Sequence, residues 1–190
     1  MMPSKPRLLT PGPTPLPEEV RQALALDMIH HRKSQFTAVM DRVQSMLRTL
    51  FGTSQPVLPL SCSGTGAMQA AVSNLFAPGE TVLVVEGGKF GQRWRDIALT
   101  HGLEVLTVQV EWGRAVDPLD IEHALQASPH IKGVLVQASE TSTGVLHPLR
   151  QIARLTACRD CLLVVDCISA VGISPCPMDE LGIDCLLTGS

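Results

Sequence analysis

Residues Leu162-Leu163-Val164-Val165-Asp166 place four consecutive apolar side chains directly before a carboxylate. A strand with one solvent-facing side alternates between apolar and polar residues, so an unbroken apolar run predicts a strand covered on both faces. Such strands are typical of parallel sheets packed between helices. Further short apolar runs predict strands at 57–61, 81–85, 104–108, 133–137 and 184–187.

Helical patterns separate most of these strands. Apolar residues at helical spacing predict helices at 34–51, 66–76, 92–100, 118–127 and 149–157, and Pro17 is expected to begin an earlier helix. Alternating strands and helices predict an α/β fold, with a mostly parallel sheet flanked by helices in three layers and joined by right-handed crossovers. Residues 1–17 are rich in proline and are expected to form an extended amino-terminal arm, while 18–190 form the domain.

Composition limits the classes of partner. Hydrophobic residues make up 45% of the chain, charged residues 17%, and the net charge is -3, which predicts a globular core rather than disorder. This charge gives no indication of a nucleic-acid or membrane-surface partner. The sequence has no apolar run approaching the roughly 18 residues of a membrane span. The first residues lack the apolar core of a secretory signal, so we expect a cytoplasmic protein.

The six cysteines include the pair Cys158-x-x-Cys161, which has the spacing of a redox or zinc half-site. Cys161 leads directly into an apolar strand, however, and no second half-site has a suitable spacing. Without a secretion signal a disulfide framework is not expected either. We therefore interpret the cysteines as reduced, partly buried thiols and predict no metal site.

In open α/β sheets, ligands bind beyond the carboxyl ends of the strands, so the residues that follow each strand are candidates for a ligand-binding site. Ser63-Gly64-Thr65-Gly66 precede a predicted helix. Small residues and the free N–H groups of a helix amino end form an anion site, although a simple capped turn explains the same pattern. Gly64-x-Gly66 also resembles part of a dinucleotide fingerprint, which fails at its third position because Gln69 stands there.

Three later strand ends also carry candidate groups. Phe90 lies in a Gly-rich segment, where an aromatic ring either stacks on a flat ligand or folds back onto the core. The polar run from Ser139 to Thr143 must find partners or water. Asp166 ends its strand and requires a cationic partner if it is buried, such as an Arg, a metal or a protonated pyridine.

Six segments, taken in order, resemble one protein family. They are Thr10-Pro11-Gly12-Pro13-Thr14, Ser63-Gly64-Thr65-Gly66-Ala67, Gly88-Lys89-Phe90-Gly91-Gln92-Arg93, Glu140-Thr141-Ser142-Thr143-Gly144-Val145, Val164-Val165-Asp166, and Gly182-Ile183-Asp184 with Thr188-Gly189-Ser190. The set resembles the class V (subgroup IV) aminotransferases of the fold-type I pyridoxal-phosphate superfamily. The likeness is greatest to the alanine–glyoxylate and serine–glyoxylate aminotransferases, and it implies the fold of their large domain in truncated form.

The resemblance implies roles for particular residues toward pyridoxal 5'-phosphate. Ser63, Gly64 and Thr65 would hold the phosphate, and Phe90 would stack on the pyridine ring with Ile168 on its other face. Thr141 would hydrogen-bond the ring hydroxyl oxygen. Asp166 would pair with the pyridine nitrogen, and this charge makes the ring an electron sink. Gly12 resembles the glycine whose backbone helps to receive the substrate carboxylate. These implied residues are Gly12, Ser63, Gly64, Thr65, Phe90, Thr141, Asp166 and Ile168.

The family's Schiff-base lysine is expected two positions beyond Ser190, and the small carboxy-terminal domain is expected to be absent from this chain. Lys89 does not stand at the Schiff-base position of the matching segment. The resemblance implies a homodimer with its active site at the subunit interface, which transaminates a small amino acid (alanine or serine) and a 2-oxo acid such as glyoxylate. We expect the 190-residue chain alone to be inactive.

Two other functions remain open from the sequence. One is a non-catalytic phosphate- or nucleotide-binding α/β domain. The other is a related pyridoxal-phosphate lyase such as a cysteine desulfurase, which Phe90 disfavours because those enzymes usually carry a stacking His at that place.

Overall fold

The computed structural model describes residues 8–189. Residues 1–7, which begin the predicted arm, and Ser190, which ends the last matching segment, lie outside the described residues. The chain divides into two compact units, 1–45 and 46–190. The boundary expected after residue 17 stays a prediction.

The first unit contains coil and helix. Residues 8–17 form bends and coil, with a cis peptide bond between Gly12 and Pro13. Helix α1 (Glu18–Leu24) follows Pro17, carries two acidic residues in its first turn and has no buried residue. Helix α2 (Ser34–Phe51) begins in this unit and ends in the second, directly before Gly52, whose φ of 59° lies in the left-handed region. The predicted helix at 34–51 is confirmed.

The second unit is a layered α/β structure. Its elements in chain order are α3 (Gly64–Leu75), β1 (Thr81–Glu86), α4 (Lys89–Thr100), β2 (Glu104–Gln109), α5 (Pro118–Ala127), β3 (Gly133–Gln137), β4 (Ser139–Glu140), β5 (Val145–Leu146), α6 (Leu149–Thr156), β6 (Leu162–Asp166), α7 (Met178–Leu181) and β7 (Cys185–Leu187). Five strands form one sheet in the order β2-β1-β3-β6-β7, and each pairs in parallel with its neighbours. The short strands β4 and β5 form an antiparallel pair.

The sheet has a separate apolar core on each face. Along β3, Val134 and Val136 point into the core that includes Ile121 of α5 and Ile152 of α6. Leu135 points the other way, into the core formed with residues of α3 and α4. Because successive side chains of a strand face opposite sides, both faces of the buried strands must be apolar. The predicted α/β fold, a mostly parallel sheet flanked by helices in three layers, is confirmed.

The strand predicted at 57–61 is wrong. This segment is coil and bend, and the side chains of Leu58 and Leu60 are 77% and 53% exposed. Apolar residues give a segment the composition of a strand, but a strand also requires a neighbouring strand for its backbone. Within the described chain the five-stranded sheet does not include this segment, and β2 and β7 lie at its edges. The β4–β5 pair and α7 were not predicted, because they are too short to show a period.

None of the helices within residues 8–189 has the length and apolar character needed to cross a bilayer.

Helix α4 approaches β1 closely at Gly91. A Cβ atom added to Gly91 would lie 2.6 Å from the carbonyl oxygen of Val85 and 2.8 Å from Cα of Glu86. Both neighbours are backbone atoms, which cannot move aside as a flexible side chain could. Glycine at this position therefore determines how near the first turn of α4 lies to the end of β1.

We predict that Gly91→Ala lowers the free energy of unfolding by about 1–3 kcal/mol, because α4 must shift away from β1. A decrease in the free energy of unfolding would be informative, because alanine is otherwise favoured over glycine in a helix by about 0.5–1 kcal/mol. Urea unfolding followed by circular dichroism measures the change. Leu99→Ala, at a position 53% exposed on the same helix, is the matched control and should change stability by no more than about 0.5 kcal/mol. A Gly91→Ala chain as stable as the parent would contradict the close-approach argument.

Candidate active site

Asp166 ends β6, and its side chain is 5% exposed. Its Oδ1 accepts a hydrogen bond of 2.8 Å from the backbone N–H of Ile168. No ion pair within residues 8–189 involves this carboxylate. Burial raises the pKa of Asp166 to about 6; the Ile168 N–H and Arg93 oppose this rise, while the negative charge of Glu140 adds to it. The structure thus holds a buried acid whose predicted cationic partner is not among the described residues.

The amino end of α3 lies at the same edge of the sheet. Ser63 is the N-cap residue, and its Oγ accepts from the N–H of Gly66 at 3.3 Å. This bond confirms that Ser63 caps the helix. The N–H groups of a first helical turn have no partner within the helix, and the helix dipole makes this end partly positive. Gly64 and Thr65 occupy that turn, so the local structure suits an anion.

Gly64, Ile168 and Gly189 lie together beside this helix end. A Cβ atom added to Gly64 would lie 2.3 Å from Cδ1 of Ile168, so the side chain of Ile168 fills the space that only glycine leaves. A Cβ atom added to Gly189 would lie 3.9 Å from Cα of Gly64. The residues that follow β7 therefore reach the amino end of α3.

Arg93 connects the first turn of α3 with Phe90. Its Nη1 donates to Oγ1 of Thr65 at 3.0 Å, and its guanidinium carbon lies 4.8 Å from the centroid of the Phe90 ring. The structure places Phe90 as the second residue of α4, rather than in the Gly-rich loop expected from the sequence. Its side chain is half-buried. The ring position is thereby defined by a helix and by a cation above its face.

The amino end of α4 is capped by side chains from a distant segment. Glu140 is fully buried, and its Oε2 accepts from the backbone N–H of Phe90 at 3.1 Å and of Gly91 at 3.0 Å. Its Oε1 accepts from the hydroxyl of Ser142 at 2.6 Å, and the Ser142 hydroxyl oxygen accepts from the N–H of Lys89 at 3.0 Å. A negative charge is stabilised at this end of a helix. Two members of the predicted polar run, Glu140 and Ser142, thus find partners in α4.

Thr141 contacts the segment that follows β6. Its Oγ1 lies 2.6 Å from Oγ of Ser169, which also donates to the carbonyl oxygen of Ser139 at 3.3 Å. Ser169 stands three positions after Asp166. A hydroxyl pair therefore lies beside the buried acid.

A continuous series of contacts joins most of the predicted cofactor residues. It runs from Ser63–Thr65 through Arg93 and Phe90 to Glu140, then through Thr141 and Ser169 to the loop of Asp166 and Ile168, and back to Gly64. Sequence reasoning gave no role to Glu140, Arg93 or Ser169. Glu140 and Arg93 lay within quoted motifs, but their partners are about 50 and 28 positions away, so spacing alone could not reveal them.

Lys89 and Gly12 were also considered as candidate residues in the sequence. Lys89 is exposed, and its Nζ donates to Oε1 of Gln92 at 3.2 Å and lies 5.6 Å from the centroid of the Trp112 ring. This position agrees with a solvated lysine. Gly12 belongs to the first unit, so its expected role in substrate binding stays a prediction.

The six cysteines are free thiols. Burial raises the pKa of Cys161 to about 11 and raises that of Cys167 well above its usual range, so both stay protonated and weakly reactive near neutral pH. Within residues 8–189, no group of three or more His, Cys, Asp or Glu side chains is placed to hold a metal ion.

Several known proteins are similar to this chain in sequence or in structure. A curated relative, the soluble hydrogenase 42 kDa subunit of Anabaena cylindrica, is 40% identical over all of this chain and half of its own length. The serine–glyoxylate aminotransferase of Methylorubrum extorquens is 34% identical, over 99% of this chain and 48% of its own. The crystal structure of an alanine–glyoxylate aminotransferase from Nostoc sp. superposes with a TM-score of 0.90 at 32% identity, covering 94% of this chain and 48% of that one.

This chain spans about half the length of the curated relatives it matches. The family model of the class-V aminotransferases matches residues 8–190, which is nearly the whole sequence. The chain therefore belongs to the class-V aminotransferase family.

Proposed function

We propose that the described site binds pyridoxal 5'-phosphate, and that the whole protein transaminates a small amino acid (alanine or serine) and a 2-oxo acid such as glyoxylate. The observation that carries this proposal is Asp166, a buried carboxylate at a strand end with no cation paired to it among the described residues. A charged carboxylate is costly to bury alone, and the protonated nitrogen of a pyridine ring would supply its partner.

The remaining residues fit the other parts of this cofactor. Ser63, Gly64 and Thr65 would hold its phosphate at the amino end of α3, where first-turn N–H groups and the nearby Arg93 favour an anion. Phe90 and Ile168 would hold the two faces of its ring. The anion site would thus match the phosphate, the side chains of Phe90 and Ile168 the two ring faces, and the acid the ring nitrogen.

The hydroxyl pair and the acid would orient the ring within its plane. Thr141 would form a hydrogen bond with the ring hydroxyl oxygen, and Ser169 would hold the rotamer of Thr141 through their 2.6 Å contact. Asp166 would keep the ring nitrogen protonated. When bound, pyridoxal phosphate supplies an electron sink that stabilises a carbanion at the amino-acid α-carbon.

The whole protein is proposed to be a homodimer in the cytoplasm, with its active site at the subunit interface. The family membership and the relatives named as glyoxylate aminotransferases support the reaction class. The substrate pair rests on the resemblance of the quoted motifs and on those relatives.

Titration of the chain with pyridoxal phosphate, followed by absorbance and by quenching of Trp fluorescence, tests the cofactor proposal. We expect saturable binding, weakened at least about tenfold by Asp166→Asn, since a hydrogen bond to a charged group contributes about 1.5–3 kcal/mol. Asp160→Asn is the matched control, because Asp160 is an exposed acid paired with Lys132. Binding of NAD without any response to pyridoxal phosphate would favour a nucleotide-binding domain and overturn the proposal.

The raised pKa of Asp166 gives a second prediction, for the cofactor-free chain. The folded state prefers the protonated acid, so this contribution to stability is present below the unfolded pKa near 3.8 and is lost as pH rises through about 6. Asp166→Asn should therefore raise the free energy of unfolding at pH 7 by about 1–3 kcal/mol, with the difference shrinking toward pH 4. Urea unfolding at several pH values measures this, and an Asn chain that is less stable at pH 7 would contradict it.

A panel of amino donors tests the substrate proposal on the whole protein. With glyoxylate as acceptor, we expect alanine and serine to give the largest kcat/KM, measured by coupled detection of pyruvate or hydroxypyruvate. Aspartate is the comparison donor, because its second carboxylate requires an additional cation. A preference for aspartate over both small amino acids would show that the substrate pair is wrong while leaving the reaction class intact.

A further inference from the structure

Gln137 is the last residue of β3, and its side chain is fully buried. Within the described chain, neither its Nε2 nor its Oε1 has a hydrogen-bond partner. Buried amides are almost always hydrogen-bonded, and leaving one unsatisfied is destabilising. An unsatisfied amide at the carboxyl end of a strand therefore requires a structural explanation.

Gln137 is the register partner of Asp166. The two residues end the adjacent parallel strands β3 and β6 and face each other across the ladder. Alternation along the strands puts both side chains on the face of Leu135 and Val164, which is the core covered by α3 and α4. Neighbouring strands lie about 4.8 Å apart, so the amide is within reach of the carboxylate after a change of rotamer.

Other charged groups near this position already have partners. Glu86, which ends β1 on the other side of β3, accepts from Arg95 at 2.7 Å. The charged and titratable groups whose fields act on or from Asp166 are Glu140, Arg93 and the Cys167 thiol. Glu140 is engaged by the amino end of α4 and Arg93 by Thr65. Within residues 8–189 the carboxylate of Asp166 accepts only through Oδ1, so its Oδ2 is the acceptor left for a buried donor.

Trp94 carries a second polar group without a partner among the described residues, in the core on the same face of the sheet. Its side chain is fully buried in the core of α3 and α4, and its indole N–H also lacks a partner within the described chain. The indole can only donate, whereas an amide offers both an acceptor and donors. The orientation of a side-chain amide follows from its hydrogen-bond network. If the amide oxygen accepts from an indole N–H, the amide nitrogen remains available to donate to a carboxylate.

We propose that Gln137 is a positioning residue for Asp166, with Nε2 donating to the carboxylate and Oε1 accepting from the indole N–H of Trp94. This hydrogen bond favours the ionised acid, which is the state that pairs with a protonated ring nitrogen. The inference rests on the proposed function, since it gives Asp166 its role toward pyridoxal phosphate. Gln137 would act through Asp166 without touching the cofactor.

Carboxyl carbon-13 NMR of the cofactor-free chain, with labelled Asp, tests the inference directly. We expect Gln137→Met, which keeps the length of the side chain and removes the amide, to raise the measured pKa of Asp166 by about one unit. Trp94→Phe should raise it by a smaller amount. Leu135→Met is the matched control on the same strand and face, and it should leave the titration unchanged. An unaltered Asp166 titration in Gln137→Met, or an equal change in Leu135→Met, would overturn the proposal.

A second measurement uses the unaltered chain and so does not depend on the folding of a variant. The side-chain amide protons of Gln137 should shift with pH at the same midpoint as the Asp166 carboxyl carbon. Amide resonances that stay constant between pH 4 and 8 would contradict the hydrogen bond. Both titrations omit the cofactor, so a chain that failed to bind pyridoxal phosphate would refute the proposed function while leaving the Gln137–Asp166 result readable.

Discussion

The buried carboxylate of Glu140 joins two segments that are about 50 residues apart in the sequence. By accepting from the first backbone N–H groups of α4, it fixes where that helix begins and therefore where the Phe90 ring and the Arg93 guanidinium lie. The same loop presents Thr141 to the segment after β6. Removing this single charge would release both sides of the site, because one acid holds a helix end and a loop together.

The buried sheet explains why so many of these groups meet. All five strands of the main sheet run in parallel, so their carboxyl ends lie at one edge. Apolar packing on both faces leaves that edge as the place where polar residues can follow a strand without entering a core. Asp166 departs from this pattern, because it is a polar residue at this edge and its side chain is nevertheless buried. The pKa of Asp166 is raised because burial disfavours the charged carboxylate.

Most of the fold was predictable because the runs at 133–137 and 162–166 contain consecutive apolar residues. Such runs indicate strands that are buried on both faces. The run at 57–61 is also largely apolar, yet Pro59 lacks the backbone N–H of a ladder, and pairing depends on a neighbour that no local pattern specifies. The candidate site likewise contains residues that were predictable from local sequence and residues that were not. Ser63 at a helix cap and Asp166 at a strand end follow from local chemistry. The partners of Thr65 and Phe90 come from Arg93 and Glu140, and the unsatisfied amide of Gln137 becomes visible only when strands and helices are packed.

The contact between Gly64 and Ile168 also constrains how this site can change over evolutionary time. Any side chain at position 64 would overlap Cδ1 of Ile168, with its Cβ atom only 2.3 Å away. A change of Ile168 to Val removes that atom, after which alanine at 64 meets a milder contact. With Ile168 unchanged, alanine at 64 requires Cδ1, at the far end of the flexible Ile168 side chain, to move away from the first turn of α3. The two positions are therefore coupled, because a side chain at 64 requires Ile168 either to take another rotamer or to become smaller.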